Sequence, residues 1–249
     1  MRILALLVWL LTLVACQTTQ QLSTAPTSTA TLYQQAIQEA AYPTPAKVYD
    51  QLVAINENND QLVWQTIQGK KYLLVVTWKR EKDLKYYKND PSTGVCNTGN
   101  FPIWITTAPQ LLKRMKQEQA KNPNKRLSQL LGLPPTAEET YTHFVEFWVQ
   151  PKDLFRPCPD AEITDATCNL CFPVGTDSAH INWINELRAS SYYGCELYQQ
   201  YPWTQLGYTY DWNPKNSSHV GLSEFVIGAQ KNVIVQQIYT TAEYLAKEK

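Results

Sequence analysis

The sequence is poor in glycine, with nine residues in 249, and poorer still in methionine and histidine, with two and three. Glycines so few and scattered build no phosphate-binding loop, and no serine stands in a Gly-x-Ser-x-Gly turn. Nucleotide binding through such a loop and α/β-hydrolase chemistry are therefore excluded. Neither sign of charge is in excess: Lys plus Arg equals Asp plus Glu at 22 each. Nothing in that balance draws the chain to nucleic acid. A long hydrophobic run is missing too. The apolar stretch from Ile3 to Ala15 has 13 residues, whereas a bilayer-spanning helix needs about 20.

Aromatic residues and cysteines are plentiful. Eight Trp and fifteen Tyr supply large, rigid contact area. Of the six cysteines, the first, Cys16, follows the apolar stretch directly. Arg2, the apolar centre and the small residues after it have the order of a secretory signal. Leu13-Val14-Ala15-Cys16 resembles the lipobox of bacterial lipoproteins. That resemblance implies cleavage before Cys16 and acylation of its sulfur and new amino end, palmitate among the chains. Several chains anchor stably where one does not. Gln17 stands where such proteins carry Asp when they stay in the inner membrane, so the resemblance implies a periplasmic route to the outer membrane. Loss of the leader removes one arginine and leaves the mature chain near −1.

The residues after Cys16, QTTQQLSTAPTSTAT to Thr31, are Ser, Thr and Gln rich and read as a flexible tether. The domain organisation is thus a signal over 1–15, a lipidated cysteine and tether over 16–31, and one globular domain over 32–249. Within that domain Leu32, Ala36 and Ala40 share a helix face. Thr44-Pro45 opens a second expected helix, with Val48, Leu52 and Ile55 on one stripe. Gln61–Gln68 and Lys71–Lys79 read as a hairpin joined by Gly69-Lys70. The doubly apolar run Leu73-Leu74-Val75-Val76 marks a central strand. Strands are expected near Phe101–Thr107, Tyr141–Gln150, Gln205–Trp212, Leu222–Ile227 and Asn232–Tyr239. Helices are expected near Pro109–Lys121, Lys125–Leu131, Ser178–Ser191 and Ala242–Lys247. Strands and helices do not alternate regularly, so the fold class is α+β, a mixed or mainly antiparallel sheet flanked by helices. Pro151 to Gly175 is an irregular segment rich in proline and cysteine.

In an oxidising compartment Cys96, Cys158, Cys168, Cys171 and Cys195 default to disulfides. The first expected bridge is Cys158–Cys168; a second would join Cys195 to Cys171 or Cys96. Zinc held by Cys168, Cys171 and Cys158, His180 or Cys195 is the weaker alternative, since a single Cys-x-x-Cys lacks its partner pair. No metal and no cofactor are expected. His143 and Glu146 lie on one strand at i and i+3, on opposite faces, and cannot share a ligand. His180 starts a helix, exposed, and His219 sits in a loop.

Two features carry candidate function. Asp211 and Glu224 could form an acid/base pair for glycoside cleavage if two strands bring them together. Tyr208, Tyr210 and Trp212 alternate onto one strand face, as a core wall or as a stacking surface for sugar rings. Three classes of function follow: a non-catalytic envelope module binding cell-wall glycan or a protein partner, which is favoured; a periplasmic glycan hydrolase; and an assembly lipoprotein with a docking face.

Overall fold

Residues 27–248 are described by the computed structural model. The leader, Cys16 and most of the expected tether lie outside the described residues. Ser28 caps the first helix, α1 (Thr29–Ala40), by accepting from the Thr31 amide, so the helix starts three residues before Leu32. Strands β1 (Trp64–Ile67) and β2 (Lys70–Arg80) form the expected hairpin. Its turn falls one residue early, at Gln68 and Gly69, both with positive φ (49° and 74°). That is the twist a two-residue hairpin demands, and Gly69 adopts it without strain.

The chain continues through β3 (Cys96–Asn97), β4 (Ile103–Thr107), α2 (Ala108–Glu118), α3 (Pro123–Leu130), α4 (Ala137–Thr140) and β5 (Tyr141–Val149). Then come β6 (Leu154–Phe155), α5 (Ser178–Tyr192), β7 (Tyr208–Tyr210), β8 (Val220–Ser223), β9 (Phe225–Ile227), β10 (Asn232–Thr240) and α6 (Thr241–Ala246). Seven strands run in the order β3-β10-β5-β2-β4-β9-β6, with β1 added on β2, while β7 and β8 form a separate pair. The pairings are antiparallel. The protein is an α+β domain with a mainly antiparallel sheet and flanking helices.

Alternation along the strands divides the core. Leu73, Val75, Val145, Phe147, Phe225 and Ile227 pack on one side. Val76, Trp78 and Phe144 face the other, against Leu111 of α2, Leu127 and Leu130 of α3 and Tyr244 of α6. The apolar run at Leu73–Val76 is central because both its faces are covered.

Two expectations are corrected. The second helix after Thr44 stops as a 3-10 turn over Pro45–Lys47. Beyond it, Leu52 and Ile55 donate their amides to Ala166 (2.9 Å) and Ile163 (2.7 Å), so cross-chain bonds replace helical ones. Those bonds dock the irregular segment, which is closed by the Cys158–Cys168 disulfide. The second bridge does not form: Cys171 and Cys195 are exposed and unbridged, while Cys96 is buried in β3, its Sγ 3.4 Å from the Tyr86 carbonyl. With Cys168 bridged, the alternative zinc set loses a ligand. Among the described residues no helix is long and apolar enough to cross a membrane.

Candidate functional site

β2 and β4 pair only at Val75–Thr107 and Val76–Thr106. Past Val76, β2 follows β5 as far as Arg80, while β4 turns toward β9, pairing Trp104 with Val226. The sheet splits there. The end of α5 and the segment around Tyr201–Trp203 roof the split and leave a cavity of about 430 Å³, within the usual range for small-molecule sites.

Trp78, Trp104, Tyr141, Tyr201, Trp203 and Tyr210 supply its aromatic lining. The indole N–H of Trp78 donates to Thr241 Oγ1 (3.0 Å) and that of Trp203 to the Pro157 carbonyl (3.0 Å), so both rings offer carbon surface. Trp104 and Trp203 meet edge to face, their centroids 6.5 Å apart and their planes at 84°. Gly132, at φ 63°, brings its backbone against Tyr210; a Cβ there would lie 3.2 Å from the Tyr210 carbonyl oxygen.

Glu224 borders this cavity, held between β8 and β9. Its amide donates to the Gly207 carbonyl (2.9 Å). Among the described residues its carboxyl has neither a hydrogen bond nor an ion pair, although neighbouring polar groups are well served. Glu224 is half-buried: it keeps accessible surface where it borders the cavity, and protein packs around the rest of it. Burial pushes it up to about 8. At neutral pH it is mostly a neutral acid, able to donate or to ionise.

Lys79 is the one basic side chain among the lining residues. Alternation along β2 sends it away with Val75 and Thr77, and its amine lies 5.8 Å from the Tyr87 ring centroid. Burial pulls that amine down to about 8, against the pull of Asp83.

Asp211 is not in this cavity. It is fully buried and grips Arg126 with both oxygens (2.8 and 2.7 Å), while Asn216 Nδ2 (2.8 Å) and the Asn213 amide (3.1 Å) complete its bonding. The expected Asp211–Glu224 acid/base pair is therefore not assembled. The sequence could not show that Arg126, 85 positions away, claims the aspartate.

The aromatic triplet resolves as core rather than as an open stacking face. The Tyr208 hydroxyl donates to the Lys47 carbonyl (2.9 Å), the Trp212 indole to the Leu133 carbonyl (2.9 Å), and Tyr210 bonds to Glu39. All three rings are buried, and only Tyr210 reaches the cavity. His180 is half-buried rather than exposed, its Nε2 2.8 Å from the Cys158 carbonyl. His219 Nδ1 lies 2.9 Å from the Asp211 carbonyl, and His143 Nδ1 2.8 Å from Thr142 Oγ1. Glu146 pairs with Lys247 at 2.6 Å.

Sequence reasoning missed Trp104, Tyr141, Tyr201 and Trp203. A signal existed for Trp104: in Ile103-Trp104-Ile105 the isoleucines are buried and the tryptophan between them points outward, partly exposed. A second, more open hollow of about 1050 Å³ runs beside α2. Its Glu146 and Arg114 are already engaged, with Lys247 and Glu118.

Comparison with protein-family models, with curated proteins and with solved structures finds no match for this chain.

Proposed function

We propose that this chain is a lipid-anchored protein of the bacterial cell envelope whose domain is a non-catalytic binding module, with the cavity at Glu224 as its ligand site. The observation that carries the binding reading is the half-buried Glu224 carboxyl, which has no protein partner among the described residues and borders a space walled by aromatic rings. A carboxyl with no protein partner takes its hydrogen bonds from the cavity, from water or from a ligand that displaces it. The rings supply contact area and the carboxyl supplies orientation. The anchor reading is supported by Leu13-Val14-Ala15-Cys16 after a short apolar leader.

A glycosidase pair needs two carboxyl groups about 5–10 Å apart across the bond to be cut. Glu224 is the one carboxylate among the lining residues, and this favours binding over hydrolysis. Since Tyr208 and Trp212 are core residues, a cell-wall fragment would have to enter the cavity rather than lie on a flat face.

Ligand-observed NMR with a set of small ring compounds tests the site. Compounds should bind wild type and lose at least about fivefold in affinity in Trp104→Ala, a change in the range for one aromatic contact. Equal binding by the variant would remove this cavity as the site. In cells, labelled palmitate should enter the wild-type protein and not the Cys16→Ser variant, and wild type that takes up no label would refute the lipid anchor.

A further inference from the structure

The ligand's chemistry follows from what the cavity lacks. Glu224 has no cation of its own among the described residues: it forms no ion pair, and Lys79 lies over Tyr87 on the other side of β2. Nor does any N–H or O–H of the described residues reach its oxygens. The neutral acid can donate one hydrogen bond, but both of its states accept, so only a guest that brings N–H or O–H groups satisfies the carboxyl whether or not it is ionised. An anion could take the acid's single proton but would oppose its ionisation, and a purely apolar guest would leave it unsatisfied.

The walls favour a positive guest as well. Ring faces are electron-rich and attract cations lying within about 6 Å of the centroid. Trp104 and Trp203 stand at 84° and form a corner, with Tyr141 and Tyr201 in the same lining. The protein already places one cation on this aromatic set, the Arg80 guanidinium 5.9 Å from the Tyr141 centroid. A small cation with a compact apolar body would then find rings for its body and a carboxylate for its charge.

We propose that the cavity takes a primary organic ammonium ion, its N–H groups donating to Glu224 and its apolar group lying against the Trp104–Trp203 corner. This rests on the reading of the cavity as a ligand site. Binding carries a proton change with it. The neutral acid ionises as the ammonium arrives, its proton passes to solvent, and a carboxylate–ammonium pair remains. The hydroxyl of Tyr192 on α5, near Glu224, and those of the lining residues Tyr141 of β5 and Tyr210 of β7 are held above their ordinary values by burial and keep their protons at neutral pH. Lys79 titrates in the same range as Glu224, but on the opposite face of its strand.

The test is calorimetry on the full-length protein in detergent at pH 7, in phosphate and in Hepes, neither of which is a primary amine, with benzylamine, benzyl alcohol and benzoate as probes. The three share a ring and differ in charge. Benzylamine should bind at least tenfold tighter than benzyl alcohol, the ratio expected of one charge-assisted hydrogen bond worth about 1.5 kcal/mol or more. Benzoate should be weakest, and the heat of benzylamine binding should differ between the buffers by the released proton. In Glu224→Gln the preference for the amine should vanish while benzyl alcohol still binds, which also shows that the variant is folded. If benzyl alcohol matches benzylamine in wild type, the cavity remains a ligand site but the cationic ligand is refuted. If benzoate binds best, the proposal fails outright. If none of the three binds, the ammonium proposal fails, and the ring-compound screen decides separately whether the cavity is a site at all.

Discussion

Glu224 and Asp211 stand thirteen residues apart in sequence and in opposite circumstances. Asp211 accepts four hydrogen bonds, two of them from the Arg126 guanidinium; Glu224 accepts none. Both were visible in the sequence as acidic residues in an aromatic stretch, but their surroundings were not, because those come from α3, α5 and β4. For Glu224 the energetic consequence has a definite sign. Its carboxyl titrates near 4.5 when unfolded and near 8 when folded. Between those values the folded state holds a proton that the unfolded state has lost, so its contribution to stability falls as pH rises and levels off above about 8. Glu224→Gln removes the penalty. Chemical denaturation should show the variant matching wild type at pH 4 and exceeding it by several kcal/mol, at most about 5, at pH 9. A constant difference across that range would mean that Glu224 ionises as freely in the fold as in water.

At the scale of elements, Asp211 joins parts that are remote in the chain. Arg126 of α3 reaches it at the end of β7, and Glu118 at the end of α2 binds the same guanidinium. Burial works against the Glu118 charge, but hydrogen bonds from Arg126 and Arg114 hold its carboxyl below the ordinary range. Removing Asp211 leaves the buried Arg126 guanidinium with Glu118 as its one carboxylate among the described residues, at a cost of about 3 kcal/mol. Asp211→Ala should lower stability in urea by that amount and leave ring-compound affinity within about twofold, since Asp211 does not line the cavity. A large loss of affinity would tie the network to the site. Periodicity made most elements legible: the β1–β2 hairpin, though its turn falls one residue before the expected Gly69-Lys70, the central strand at Leu73–Val76 and helix α5. It failed after Thr44, where an apolar stripe at helical spacing formed a docked extended segment instead. The stripe was correct about burial, since Leu52 and Ile55 are core residues, and wrong about conformation. Their hydrogen-bond partners sit more than a hundred positions away, at Ile163 and Ala166, where no local pattern could reveal them.

At the scale of the whole molecule, the class of fold was legible from the irregular order of strands and helices, and the aromatic content proved to serve the core and the cavity together. The split of β2 from β4 was not legible, because it depends on which strands become neighbours. Cysteine chemistry reports on the assembled chain. With one bridge in place, native alkylation should label Cys171 and Cys195 quickly and Cys96 only after unfolding, while Cys158 and Cys168 stay blocked until reduction. Rapid labelling of Cys158 or Cys168 would overturn the assigned pairing, and labelling of Cys96 in the native state would show that β3 opens.

The position of β10 in the sheet bears on when the protein becomes itself. Residues 232–240 lie between β3 and β5 and pair with both, so β5 lacks one neighbour until almost all 249 residues exist. Pairings this distant in sequence form slowly. A growing chain of this design has no completed sheet until residues 232–240 are made, and an unfinished sheet is what passage through a narrow channel would require if Met1–Ala15 is the export signal we propose.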